Sequence, residues 1–293
     1  MLRPAHLRRT GPRLGSGPLV SVVIATYNWS SVLGHAIESV RRQSYANWEL
    51  IVVGDACTDD SEQVVSQLGD SRIRWLNLKA NSGSQSAPNN AGVAIARGEL
   101  VAYLGHDDVW YPNHLALLVR AFERRHADLA FTITEVIGPE GTALRSLAGH
   151  VPRRDYGAGA HIPPSSLMHR AQAAREIGGW RDYRKIMLPP DIDFTTRAAQ
   201  RGLRFVRVPA LTVFKFPSGI RPNSYLLQHS HEQAAYARRM ASERMFLPRE
   251  ILAASWSQLR GSGARLSALF PAPPVDPGPG WQVREARRVR GLD

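Results

Sequence analysis

Val101-Ala102-Tyr103-Leu104-Gly105-His106-Asp107-Asp108-Val109-Trp110 is the stretch whose reading decides the fold. Four largely apolar residues of strand type run into a Gly, and two adjacent carboxylates follow. A buried strand that ends in paired Asp is how an α/β protein sets acidic groups at the carboxyl edge of its sheet, where ligands bind. Adjacent carboxylates repel unless a cation or proton lies between them, and oxygen ligands suit Mg²⁺ or Mn²⁺. The same residues also read as an Asp-rich turn capping the next helix. The flanking chain has to choose.

Upstream, Leu19-Val20-Ser21-Val22-Val23-Ile24-Ala25 is a β-branched run of strand length that ends in the polar turn Thr26-Tyr27-Asn28. Val32, Leu33, Ala36, Ile37 and Val40 then recur at helical spacing. Trp48-Glu49-Leu50-Ile51-Val52-Val53 is a second strand running into Gly54-Asp55, and residues 73–78 alternate as a third. A loop at Asn81-Ser82-Gly83-Ser84 and a small-residue helix over 87–96 lead back to the opening strand. Strand and helix in regular alternation predict an α/β chain with a mostly parallel central sheet. Three polar clusters, Thr26-Tyr27, Asp55 and Asp107-Asp108, then share one edge, where a nucleotide should sit. No G-x-G-x-x-G follows the first strand and no G-x-x-x-x-G-K-[ST] occurs, which argues against a dinucleotide oxidoreductase and a P-loop NTPase.

Downstream the spacing predicts a helix over 115–125, a strand over 129–136, and loop with short strands over 142–160. A strand over 162–168 is entered through Pro163-Pro164, and a short helix over 171–177 follows. Pro189-Pro190-Asp191 opens a helix to 201, and two strands are read at 203–208 and 211–216. Helices over 228–246 and 249–260, divided by Pro248, carry Tyr236, Met240, Met245, Phe246, Ile251, Leu252 and Trp256 as a core stripe. The expected organisation is a disordered basic arm (1–17), one α/β domain (18–219), a C-terminal helical extension (220–270), and a Pro/Gly-rich, basic tail (271–293). The domain divides into a nucleotide-binding half (18–137) and an acceptor half (138–219).

The 293 residues, 43% hydrophobic, are enough for one large core. No run approaches the ~18 apolar residues of a membrane helix, and the first 17 residues lack the apolar region of a secretory leader. Single Cys57 excludes an internal disulfide framework and fits a reducing cytoplasm. Net charge is +12, and only Lys79, Lys185 and Lys215 are Lys. Arg suits phosphate and carboxylate recognition. The basic residues are partly in the two tails and form no aromatic-interleaved stripe, so nucleic acid is not an expected partner.

Taken in order, Val20 to Asn28, Ile51 to Asp55, Asn81-Ser82-Gly83, Asn89-Asn90-Ala91-Gly92, Ala96-Arg97-Gly98-Glu99 and Asp107-Asp108 resemble the family 2 glycosyltransferases of the GT-A fold, over residues 18–215. The resemblance implies a GT-A-type nucleotide-diphospho-sugar transferase sandwich, a nucleotide-sugar donor (commonly UDP-linked), Mn²⁺ or Mg²⁺, and transfer with inversion. Ala25, Thr26 and Tyr27 match the turn holding the nucleoside, with Tyr27 stacking on the base. Asp55 matches the carboxylate on the base edge, Asn89 a further nucleotide contact, and Asp107 the ribose or a metal-bound water. Asp108 matches the metal ligand, with Asp107 as a second candidate, and Asp191 the general base. Asp193 reads as structural, paired to an Arg. Gly54, Pro88, His106 and Pro190 stand where the family commonly has Asp, Arg, Asp and Glu. His229 and His231 are weaker metal candidates, and the loop Phe216-Pro217-Ser218-Gly219, between Lys215 and Arg221, is a candidate closure over the diphosphate.

The expected activity is transfer of a sugar to an acceptor hydroxyl in polysaccharide or glycoconjugate biosynthesis. A glycan or lipid-linked acceptor and a cytoplasmic location go with it, and basic helices and tails suit peripheral contact with the inner membrane face. The alternative is a catalytically inactive GT-A-fold protein that binds nucleotide sugar or serves assembly.

Overall fold

The structure, a computed structural model, describes residues 17–149, 161–270 and 272–292. The expected basic arm, apart from Gly17, and most of the loop before residue 161 lie outside the described residues.

The chain alternates as expected through its first half: β1 (Val20–Thr26), α1 (Ser30–Arg41), β2 (Trp48–Gly54), α2 (Ser61–Ser66), β3 (Ile73–Asn77), α3 (Ser86–Ile95), β4 (Leu100–Gly105). There follow β5 (Val109–Trp110), α4 (His114–Arg125), β6 (Leu129–Ile137), β7 (Arg145–Ala148), β8 (Leu167–Arg170), α5 (Ala171–Ile177), α6 (Pro190–Gln200) and β9 (Phe205–Lys215). The C-terminal part is helical: α7 (Ser224–Leu227), α8 (His231–Ser242), α9 (Phe246–Leu259), α10 (Ser262–Ser267) and α11 (Trp281–Arg290).

One sheet runs in the order β3-β2-β1-β4-β8-β6-β9-β5, with β7 on β6. The pairings among β1 to β4 and between β6 and β9 are parallel, and β5, β7 and β8 run the other way. Side-chain alternation along the strands feeds two cores. Val20, Val22 and Ile24 of β1 pack with Leu33 and Ile37 of α1 and with Leu115 and Leu118 of α4. Val23, with Tyr103 of β4, packs on the other face with Ile177 of α5 and Phe194 of α6. Fully buried, near-continuous apolar strands are what helices on both faces demand.

Register decides where the polar clusters fall. Thr26 pairs with Gly54 and Ala25 with Gly105. The turns after β1, β2 and β4 therefore leave the sheet side by side. Gly54 has a steric cause: a Cβ there would stand 2.6 Å from Asn77 Oδ1 and 2.8 Å from the Trp75 ring. Asn77 in turn clamps the next loop, accepting from Cys57 N and donating to Cys57 O, both at 2.9 Å.

Several boundaries differ from expectation. The two strands read at 203–208 and 211–216 are one strand, β9, which bends through register shifts against β6. Pro164–Ser166 is a 3₁₀ turn, so the strand expected over 162–168 starts only at Leu167. Pro248 lies in the first turn of α9, where the missing N–H costs nothing, and does not divide the helices. Of the expected core stripe, Tyr236 and Phe246 are buried, but Met245, Ile251, Leu252 and Trp256 are exposed. What docks α9 is polar instead. Its buried Glu250 accepts from Arg145 of β7, from Arg239 of α8 at 2.6 Å, and from the Tyr236 hydroxyl at 3.2 Å. Residues 281–290, read only as basic tail, form α11 and pack against the 218–220 turn.

Candidate active site

The edge formed by the ends of β1, β2 and β4 opens into a cavity of about 900 Å³. Ala25, Thr26, Tyr27, Asp55, Asn89, Asp107 and Asp191 all line it. Residues spread from Ala25 to Asp191 in the sequence thus meet at one place. Asp108 does not line it.

At one end, Thr26 Oγ1 hydrogen-bonds His106 Nδ1 at 2.8 Å, and His106 Nε2 meets the Tyr225 hydroxyl at 3.1 Å. Burial, reinforced by Arg290 and Lys215 and opposed by Asp107, drives the His106 imidazole below its ordinary range, so it is the neutral form that bridges the two hydroxyls. Tyr27 stands 6.2 Å from Tyr225, ring centre to ring centre. Asp55, 5% exposed, organises the opposite loop. Its carboxylate accepts from Ser82 N at 2.9 Å, Ser82 Oγ at 3.0 Å and Gly83 N at 3.1 Å. Ser82 N is shared between Oδ1 (2.9 Å) and Oδ2 (3.0 Å) and the other two contacts fall on Oδ2, which leaves Oδ1 with one donor and a spare lone pair.

The two adjacent carboxylates have opposite surroundings. Asp108 is fully buried, and its oxygens are taken by Ser165 Oγ (2.5 Å), Lys215 Nζ (3.1 Å) and Phe216 N (3.1 Å). Ser165 Oγ also accepts from Gly105 N at 3.0 Å, which locks the turn onto the 3₁₀ segment before β8. The expectation that Asp108 holds a metal therefore meets a buried carboxylate that does not line the cavity and is engaged on both oxygens by protein donors. Asp107 has the opposite character. Its carboxylate faces the cavity, and no side chain pairs with it among the described residues. Burial pushes its carboxyl up, but its surroundings, the Lys215 and Arg290 cations among them, outweigh this and hold it below the ordinary Asp range. The missing Cβ at Gly105 leaves room here: one would lie 3.1 Å from Asp107 Oδ1 and 2.9 Å from Asp108 Oδ2.

No group of three His, Cys, Asp or Glu side chains could form a metal cage among the described residues. One cavity-facing, unpaired carboxylate fits a Mg²⁺ or Mn²⁺ that keeps waters and takes its other oxygens from a bound phosphate, the habit of these ions at nucleotide sites. His231 does not contribute, since it pairs with exposed Glu140 at 2.8 Å. Neither His229 nor His231 lines the cavity.

Asp191 sits at the second position of α6, where the helix dipole favours a carboxylate. Its Oδ2 is 3.1 Å from His161 Nε2, and both residues line the cavity. Burial raises its carboxyl, but His161 and the amides at the helix start outweigh burial and leave it below the ordinary range. Asp193 is held by Arg197 at 2.7 Å and by Arg181 at 3.6 Å, in keeping with its structural reading. Lys215 and Pro217 to Gly219 reach the cavity, whereas Arg221 is engaged by Glu232 at 2.7 Å and does not.

His161, Tyr225, Arg287 and Arg290 are cavity residues that no sequence pattern singled out. The first is an isolated residue in an irregular stretch, and the second sits in the one-turn helix α7. The Arg pair could have been suspected from the apolar-basic period of 281–290, which is helical.

Comparison with known proteins places this geometry among relatives. The profile described as Glycosyl transferase family 2 matches residues 21–175. EpsE of Bacillus subtilis (strain 168) is 32% identical over 196 residues, 65% of this chain and 70% of EpsE. UDP-Glc:alpha-D-GlcNAc-diphosphoundecaprenol beta-1,3-glucosyltransferase WfgD of Escherichia coli is 33% identical over 119 residues, 41% of this chain and about half (47%) of WfgD. Among solved structures, S. aureus TarS 1-349 in complex with UDP-GlcNAc superposes with a TM-score of 0.56 at 15% identity, over 93% of this chain and 90% of that one. Mannosyltransferase PcManGT from Pyrobaculum calidifontis, in complex with GDP-Man and Mn2+, gives 0.55 at 16% identity over 88% and 80%.

Proposed function

The chain belongs to glycosyl transferase family 2, and from that premise we propose that it moves a sugar, with inversion, from a UDP-linked donor to an acceptor hydroxyl. Its α/β architecture is the GT-A type, shared with TarS and PcManGT. The observation that carries the proposal is the joint lining of one cavity by the Thr26-Tyr27 and Asp55 edge, by Asp107, and by the Asp191–His161 pair. That is a nucleoside seat, a phosphate seat and a base, in that sequence of chemical need.

The acceptor O–H gives its proton to the Asp191 carboxylate as its oxygen bonds to the anomeric carbon. The bond from that carbon to the diphosphate breaks, and the nucleoside diphosphate leaves with the electron pair. One displacement inverts the centre, so one base is enough and no second carboxylate nucleophile is needed. Asp107 would hold Mg²⁺ or Mn²⁺, and a bound divalent cation supplies neutralisation of the charge that the leaving diphosphate gains. Asp108 acts through the turn, fixing Asp107 from beneath. The inactive-binder alternative is disfavoured by His161, whose hydrogen bond to Asp191 is the orienting contact a general base requires.

The direct test is calorimetric titration and thermal melting with UDP, GDP and dTDP and their sugars, with and without Mn²⁺. A selective nucleoside diphosphate is expected to raise the transition temperature, by about 2.7 kcal/mol of apparent stability at 100 times its dissociation constant. If none of them shifts the transition with either metal present, the donor reading fails.

The acceptor is proposed to be lipid-linked and met at the inner membrane face. WfgD's name describes a diphosphoundecaprenol acceptor. Leu252, Trp256 and Leu259 recur at i, i+4 and i+7 on α9 and are 70%, 58% and 82% exposed. Arg249 and Arg260 flank them, while the acid of this helix, Glu250, is buried and paired. An apolar stripe with only Arg beside it suits an anionic bilayer and repels a second copy of itself. Phosphatidylglycerol vesicles are expected to bind the protein and blue-shift Trp256 emission. Phosphatidylcholine vesicles should do so weakly, and Leu252→Glu combined with Leu259→Glu should abolish it. Equal binding of that double variant would remove the surface from the proposal.

A further inference from the structure

We propose that α11 completes the donor site and that Arg290 is a ligand of the donor's diphosphate, an inference that rests on the donor reading above. The residues of α11 that line the cavity include Val283, Ala286, Arg287 and Arg290. Their spacing, i, i+3, i+4 and i+7, is one face of a helix. Arg284 and Arg288 fall on the exposed side, where Arg288 pairs with Glu285 at 2.9 Å. The basic helix is therefore sorted, with two of its Arg residues turned inward.

The helix is seated by specific contacts on loops that border the cavity. Gly280 N donates to Ile186 O at 2.9 Å and Gln282 Nε2 to Met187 O at 3.0 Å, just before Asp191. Asn223 N donates to Val289 O at 2.7 Å, and α11 packs against the 218–220 turn. Arg287 Nη1 is 3.5 Å from Asn81 Oδ1, in the loop that Asp55 organises.

Arg290 is the residue this seating leaves unfinished. Its Nε is buried without a hydrogen-bond partner, and its guanidinium has no ion pair among the described residues. The guanidinium carbon lies 6.0 Å from the centre of the Tyr225 ring. Tyr225 is the ring hydrogen-bonded to His106, the neighbour of Asp107. A position in the last turn suits a cation through the helix dipole. That accounts for an Arg there, but not for a buried, unpaired N–H on a residue that lines the cavity, which costs free energy until an acceptor arrives. A guanidinium presents a planar fork of donors that phosphate oxygens match in pairs. Beside Asp107, the anion expected is the donor's diphosphate. The other source of the same chemistry is a phosphate on a lipid-linked acceptor, and the experiment below separates the two.

The full-length protein and its Arg290→Gln variant are titrated with uridine, UMP and UDP, with and without Mn²⁺ and with no acceptor present. Arg284→Gln, on the exposed face of the same helix, is the control. The expected result is a loss of about 10- to 100-fold in UDP affinity for Arg290→Gln, uridine affinity within twofold, and no change for Arg284→Gln. Wild-type UDP affinity should also fall more steeply with added NaCl than that of Arg290→Gln. Unchanged UDP affinity in Arg290→Gln overturns the assignment. So does an equal loss for uridine and UDP, which marks a structural helix. The first of these results would leave the acceptor's phosphate as the remaining source of the anion. Failure of the wild-type protein to bind UDP, GDP or dTDP at all would sink the donor reading beneath it, a result distinct from each of these.

Discussion

Asp191→Asn is expected to lower kcat for sugar transfer by about 10²- to 10⁴-fold, the range general base catalysis supplies, while the affinity for the nucleotide donor stays within twofold. The carboxamide keeps the size of the side chain and its place at the start of α6 but cannot take a proton. Among the described residues the side-chain partner of Asp191 is His161, and none belongs to the nucleoside end, so donor binding has no reason to follow. The pH dependence has a definite sign. The Asp191 carboxyl is held below the ordinary Asp range, so the base is ionised at neutral pH and its contribution is lost only as pH falls through that depressed value. The same shift stabilises the fold above the ordinary Asp pKa, and this is lost as pH falls through the folded one. His161 is among the causes of the depression, so His161→Ala should raise the Asp191 pKa and move the acid limb of kcat to higher pH, with a smaller loss of rate at neutral pH. An Asp191→Asn enzyme with wild-type kcat would remove Asp191 from the chemistry. An acid limb that does not move in His161→Ala would remove the positioning role of the histidine.

How far the site could be read in advance follows from what local sequence encodes. The first half of the fold was legible because its strands are uniformly apolar and each ends in a polar turn. Parallel pairing in matched register then forces Thr26, Asp55 and the turn after Gly105 onto one edge. Asp191 was singled out only by the family resemblance, since Pro189-Pro190-Asp191 by itself reads as the plain start of the helix that does follow. Three things were not legible. Facing carboxylates one residue apart look alike in sequence, and only β9, which arrives 107 positions later with Lys215, decides that Asp108 is the buried one. The α9 stripe was read as core because period alone cannot tell an inward face from an outward one. Here the inward face is held by the charge network around Glu250, which leaves Leu252 and Trp256 outside. Residues 281–290 follow a Pro/Gly segment and are rich in Arg, a composition that reads as solvated tail. What fixes them is a set of backbone contacts with residues 186 and 223, which no local pattern announces.

Asp107→Asn and Asp108→Asn should therefore fail in different ways, although the two residues are neighbours. Asp107 lines the cavity without a side-chain hydrogen-bond partner among the described residues. Its loss as a charge is expected to lower the thermal midpoint less than Asp108→Asn does, by the stability its depressed carboxyl contributes at neutral pH, leave uridine affinity unchanged, and abolish the gain in UDP affinity that Mn²⁺ or Mg²⁺ gives the wild-type protein. Asp108 is the anchor for Ser165, Lys215 and Phe216. Its neutralisation leaves the Lys215 ammonium, 23% exposed, without its counter-charge. Removing one partner of a buried pair costs about 3–5 kcal/mol, and partial exposure of the lysine brings the expectation down to about 2–3 kcal/mol, read as a lower thermal midpoint. Burial and the charge of Asp107 already push the Asp108 carboxyl up, with Lys215 opposing, so part of the cost is present in the native protein. Retention of metal-enhanced UDP binding by Asp107→Asn would return the metal to another ligand. A wild-type melting curve for Asp108→Asn would show that the contacts beneath the turn carry no stability, and the division of labour between the two carboxylates would fall with it.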